Sequence, residues 1–102
     1  MTLAEEFQRA CQAAVDESRE LGYTPTAWIS MMNGPGGAAT AARRLLTNGD
    51  VQTGFQRLIS MGRRDLTVEQ AVLDEYWVDL FTDAHREAAR WRLAQADGDG
   101  PA

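Results

Sequence analysis

Apolar and small residues recur at three- and four-residue intervals from the start of the chain. Leu3, Phe7, Ala10, Cys11, Ala14, Ser18 and Leu21 form one stripe, while Glu5, Gln8, Arg9, Gln12, Asp16 and Arg19 fall opposite. This period predicts an amphipathic helix of about five turns. Thr2 and Glu5 have the spacing of a capping box, and Gly22 stands at its far end as a stop. Thr24-Pro25 then reads as an N-cap followed by proline at the first helical position, which opens a short second helix with Trp28, Ile29 and Met32 turned inward. Asn33-Gly34-Pro35-Gly36-Gly37 ends that helix, and the alanine-rich run from Ala38 to Leu46 makes a third, closed by Asn48-Gly49.

Asp50 is placed to cap a fourth helix carrying Val51, Phe55, Leu58, Ile59 and Met61, with Gly62 as its stop. Thr67-Val68-Glu69-Gln70 repeats the capping-box spacing, and Leu66 before it can staple to Ala71. The fifth helix is apolar over a wide arc through Val68, Val72, Leu73, Tyr76, Trp77 and Leu80, which predicts a central helix contacted from two sides. Thr82 and Asp83 open a last helix that runs to about Ala96, ahead of a polar tail at 97–102. No stretch alternates polar and β-branched residues, and no 20- to 50-residue repeat is present. The expected fold is all-α: a compact orthogonal bundle of five or six short helices forming one domain over residues 1–96.

Composition agrees with a folded domain. The chain has 102 residues, 44% of them hydrophobic and 25% charged, enough for one core. Its formal net charge of -5 opposes general attraction to nucleic acid and to anionic membranes. All ten basic residues are arginine, for which genome composition is a simpler cause than chemistry. One cysteine, Cys11, cannot make an intramolecular disulfide or a cysteine-based zinc site, and no basic leader or long apolar run is present. The expected location is the cytoplasm.

Charge layout changes the picture more than charge total. Between Arg43 and Arg64 lie five arginines (Arg43, Arg44, Arg57, Arg63, Arg64) and one acid, Asp50; from Asp65 to Asp83 there are six acids and no base. Two readings fit: solvated faces that pair internally, or a bipolar surface that selects a partner by complementary charge, with Arg63-Arg64 its most exposed part and Asp74 on the acidic side. The last helix offers another surface. Its apolar residues fall in two patches, so Trp91 or Leu93 should lie partly exposed beside Arg86, Arg90 and Arg92, a composition common at protein interfaces.

Catalytic and nucleic-acid motifs are poorly represented. Gly34-Pro35-Gly36-Gly37 matches a GxxG loop, but it lacks a basic residue and a neighbouring sheet, so a plain helix connection is the preferred reading. Drawing the fourth and fifth helices as a helix-turn-helix puts Glu69, Asp74 and Glu75 toward phosphate, which repels them. His85, the only histidine, reads as a surface or packing residue. Cys11 reads as a buried, inert thiol, and Asp74, Glu75 and Asp79 as solvated acids rather than cation ligands. No metal or cofactor site is expected.

The segments Gly54-Phe55-Gln56-Arg57-Leu58, Gly62-Arg63-Arg64-Asp65-Leu66-Thr67-Val68-Glu69, Trp77, Leu80-Phe81-Thr82 and Ala89-Arg90-Trp91-Arg92-Leu93 together resemble a small helical domain that recurs in bacterial proteins, alone or as a C-terminal module. The resemblance spans the chain from about Tyr23 onward. It implies a bacterial accessory module with no catalytic residue to carry over, and in that pattern the position of Arg64 is usually apolar. The resulting expectation is a non-enzymatic protein-interaction or adaptor domain, binding another protein or a second copy of itself through Arg63, Arg64, Asp74, Arg90 and Trp91. The alternative is a small nucleic-acid-binding or regulatory protein that uses the arginine cluster.

Overall fold

A computed structural model describes residues 1–47 and 53–98. Among them are six α-helices and two short 3-10 segments: α1 (Leu3–Glu20), α2 (Thr26–Met32), α3 (Gly37–Thr47), α4 (Thr53–Ser60), a 3-10 turn at Arg64–Leu66, α5 (Val68–Val72), a second 3-10 segment at Glu75–Leu80, and α6 (Asp83–Gly98). The described residues contain no strand, and the bundle is all-α as the periodicity predicts. The predicted stop at Asn48-Gly49 and the predicted cap at Asp50 lie outside the described residues.

The first helix forms as its sequence dictates. Thr2 accepts from the Glu5 backbone N–H at 3.1 Å and Glu5 accepts from the Thr2 N–H at 2.9 Å, completing the capping box. Phe7, Cys11, Val15 and Ser18 are buried along one face, and the Ser18 hydroxyl donates to the Ala14 carbonyl at 2.8 Å, so its burial leaves no lost hydrogen bond. Gln8, expected on the polar face, has a structural task instead. Its Nε2 donates to the Met32 carbonyl at 3.1 Å and its Oε1 accepts from the Ala38 N–H at 2.6 Å, tying α1 to the end of α2 and the start of α3. Gly37 sits at φ +70, and a Cβ there would lie 2.8 Å from Gln8 Oε1, so this junction requires glycine.

Two predicted elements are corrected. The second helix starts one residue late, because Pro25 (φ -79, ψ 74) forms an inverse γ-turn in which the Thr26 N–H donates to the Thr24 carbonyl. The single helix expected from Val68 to Leu80 is broken: α5 ends at Val72, and the Asp74 carboxylate accepts from the Tyr76 N–H to start a separate 3-10 segment. An aspartate able to bond the backbone two residues on, ahead of the aromatic and β-branched residues Tyr76, Trp77 and Val78, competes effectively with a helix interior. Tyr76, expected inward, is consequently 57% exposed, while Trp77 turns in. The central helix is then α3. Ala38, Ala39, Ala41 and Ala42 are all buried and let α1, α2, α5 and α6 approach it. The continuous core joins these alanines to Phe7, Trp28, Met32, Leu45, Val72, Trp77, Phe81 and Ala89.

Candidate functional surface

The loop carrying Arg63 begins where Gly62 adopts φ +73 and closes α4, with the Gly62 N–H donating to Ile59 and the Arg63 N–H to Leu58. From there Arg63 turns back on the protein. Its Nε donates to Asp65 Oδ1 at 3.1 Å and its Nη2 to Asp65 Oδ2 at 3.0 Å, and Nη2 also pairs with Glu17 on α1. The hydrogen bonds that Arg63 donates to Asp65 raise the guanidinium above its ordinary value, and the same bonds hold the Asp65 carboxyl below its own. Arg63 is therefore half-buried in an ion triad that pins the loop to α1, the internally paired of the two readings of the arginine cluster, and does not project. Arg64 is also half-buried, its Nε 3.4 Å from Gln70 Oε1. That contact explains why the second capping box is incomplete: Thr67 accepts from the Gln70 N–H, but the Gln70 side chain faces Arg64.

The acidic segment is likewise divided. Asp74 is exposed and caps the second 3-10 segment, whereas Glu69 is 2% exposed and pairs with Arg92, itself 3% exposed, at 3.3 Å. Arg92 Nη2 also donates to the Leu45 carbonyl at 2.7 Å. Burial pushes the Glu69 carboxyl up, against the lowering effect of Arg92. A folded value above the unfolded one means the native state binds the proton more tightly, so this group's contribution to stability is full below about 4.5 and is lost as pH rises through the folded value. The stability difference between the wild-type protein and Glu69→Gln should therefore move in favour of wild type on acidification. Denaturant titrations of both proteins across the carboxylate range measure it, and a difference that moves the other way contradicts the assignment.

Helical phase explains why α6 splits its arginines. Arg86, Ala89, Arg92 and Leu93 face the bundle and are buried, with Arg86 Nη2 2.7 Å from Glu75 Oε1. Two of the three arginines expected beside an exposed tryptophan are thus interior ion-pair partners. Arg90 stays at the surface, 2.8 Å from Glu87, and Trp91 is 58% exposed. Leu93, the other candidate for exposure, is buried. Ala84, Glu87, Ala94 and Gln95 complete the outward face. His85, at the start of α6, supplies the reciprocal half of a cap: Thr82 Oγ1 accepts from the His85 N–H at 3.3 Å, and His85 Nδ1 accepts from the Thr82 N–H at 3.1 Å. The Thr82/His85 spacing carried that signal, but histidine is not the usual glutamate or glutamine of a capping box.

Other candidate chemistry is absorbed by the fold. Cys11 is buried, and loss of solvation pushes its thiol up to about 12, so it is a poor nucleophile. No group of three or more His, Cys, Asp or Glu among the described residues is placed to hold a metal ion. A helix-turn-helix, already disfavoured by its acidic second helix, also lacks that helix's length, because α5 is five residues long and Glu69 points inward. An apolar cavity between Val15, Trp28, Phe55, Leu58 and Glu69 has a volume of about 40 Å³, room for water and not for a substrate. No helix among the described residues is long and apolar enough to cross a membrane. The fold is that of an all-α bundle, and comparison of the chain with protein-family models, curated proteins and solved structures finds no match.

Proposed function

We propose that this chain is a non-enzymatic protein-interaction module of a bacterial cytoplasmic protein, and that it engages another protein with the outward face of α6. The observation that carries this reading is Trp91: a tryptophan 58% exposed in the middle of a well-formed helix, next to the surface cation Arg90. Leaving so large an apolar side chain in water forgoes stability that burial would supply, and tryptophan and arginine are the residues that most often anchor interfaces. Small neighbours Ala84 and Ala94 leave the indole accessible from both directions along the helix.

The arginine cluster supports protein rather than phosphate as the partner. Arg43 Nε donates to the Leu80 carbonyl at 2.9 Å and its guanidinium lies 5.9 Å from the Phe81 ring centre; Arg57 lies 5.8 Å from the ring centre of Tyr23; Arg63 is held by two carboxylates. These contacts spend three of the five cations on the fold itself. Trp91→Ser should weaken binding to a partner isolated from the native cells by roughly tenfold or more, with a folded circular-dichroism spectrum, because the side chain is outside the core. Where the partner is a second copy of the chain, the same substitution should abolish concentration-dependent dimerisation in light scattering. Unchanged affinity, or unchanged dimerisation, refutes the assignment of this face.

A further inference from the structure

A groove lies between α1 and the 65–77 segment, away from α6. α1 meets the chain on the far side at two places and stands away from it between them. At one end Arg63 bridges Glu17 of α1 to Asp65, and at the other the Tyr76 hydroxyl donates to Glu6 Oε1 at 2.6 Å. Glu6 and Glu17 are separated by about 16 Å along the α1 axis, at ~1.5 Å per residue. Between these two closures α1 presents Ala10 and Ala14, residues too small to fill the gap to α5, and a groove of about 420 Å³ remains. Its volume falls in the range of small-molecule sites, about 300 to 1,000 Å³. Contacts at both ends bar a helix about 10 Å across from running through it.

The walls define the chemistry. Trp28, Trp77, Leu66 and Leu73 make them apolar and aromatic, and no lining residue is basic. The charged lining residues are Asp65 at one end and Asp74 at the other, both exposed. At the Asp65 end the Glu17 and Asp65 carboxylates are balanced by the guanidiniums of Arg63 and the neighbouring Arg64, so the groove is most negative at the opposite end, where Asp74 stands. Arg64 reaches the wall residue Gln70, its Nε 3.4 Å from Gln70 Oε1. An aromatic trough with one negative end suits a ligand that has a hydrophobic body and a cationic head, since the body gains burial and the head gains both carboxylate and aromatic-face attraction.

We propose that this groove binds a compact organic cation, an aryl- or alkylammonium with no anionic group, between α1 and the 65–77 segment. A matched series tests it: phenylbutylammonium, phenylbutanol and phenylbutyrate, titrated into the full chain and followed by proton–nitrogen NMR of the tryptophan indoles. The ammonium should produce saturable shifts at the Trp28 and Trp77 indole N–H and none at Trp91, with the alcohol weaker and the carboxylate weakest. Asp74→Asn keeps the cap, because asparagine also accepts from the backbone. It should reduce ammonium affinity by roughly threefold to fivefold, as expected for one partly screened charge, while sparing the alcohol. Ala10→Phe, introduced on the exposed wall where the fold has room, should block all three probes. Absence of a saturable shift, equal affinity across the series, or binding unaffected by Ala10→Phe overturns the proposal.

Discussion

Glu69→Leu should cost about 3–5 kcal/mol of folding stability, the largest effect expected of any single substitution that removes a charge from this protein. The carboxylate lies 3.3 Å from Arg92 with both side chains almost fully buried. Removing it leaves a guanidinium that cannot shed its proton in a protein interior, whereas Arg92→Met leaves a carboxyl that can take one up. The two halves of the pair are therefore unequal. Arg92→Met should cost less, about 2–3 kcal/mol, and the double substitution Glu69→Leu/Arg92→Met should recover most of the loss because no buried charge remains. Guanidinium denaturation of the four proteins forms the cycle that measures this. Equal costs for the two single substitutions would contradict the asymmetry, and a double substitution as poor as the sum would contradict the pairing.

Phe7→Ala should be comparably damaging, at about 3–5 kcal/mol and a fall in melting temperature of roughly 15 °C or more. Phe7 is fully buried and meets Trp77 and Phe81 edge to face, with ring centres 5.3 Å and 5.2 Å away. These contacts hold α1 against the second 3-10 segment, and Gln8, the next residue, holds α1 against the α2–α3 junction. The near-ultraviolet circular dichroism of Trp77 should weaken along with stability. A loss below about 1 kcal/mol would mean that α1 is not seated by this aromatic cluster.

The helices were legible where the signal is local. The Thr2/Glu5 box and the Gly22 and Gly62 stops depend on residues within one or two turns of each other and stand where their spacing predicts. The stripe of α1 is shifted: Phe7, Cys11 and Ser18 are buried with Val15, while Ala10 and Leu21 are exposed. The 65–80 segment shows where such reading fails. Its apolar arc resembles a continuous helix because the period survives the break, and only the bond from the Tyr76 N–H to Asp74 reveals that the chain starts again. Asp74-Glu75 ahead of Tyr76-Trp77-Val78 carried that hint in local chemistry rather than in periodicity.

The candidate surface was legible in part. Trp91 stood out because α6 carries more apolar residues than one face can bury, and exposure follows from that excess. The fate of the arginines was not readable, since Arg63 meets a carboxylate 46 residues away in sequence and Arg92 one that is 23 residues away. A long cation next to acids in sequence gives no sign of whether it projects or folds back. For the same reason the groove between α1 and α5 left no mark in the sequence: Ala10 and Ala14 read as ordinary stripe residues until the opposite wall is in place.

The direct test of the interaction surface is site-specific photo-crosslinking in the native cells, with benzoylphenylalanine in place of Trp91 and, as a control, in place of Gln12 on the exposed side of α1. A discrete covalent adduct formed from position 91 and absent from position 12 is the predicted result. No adduct from position 91, or the same adducts from both positions, would contradict the account.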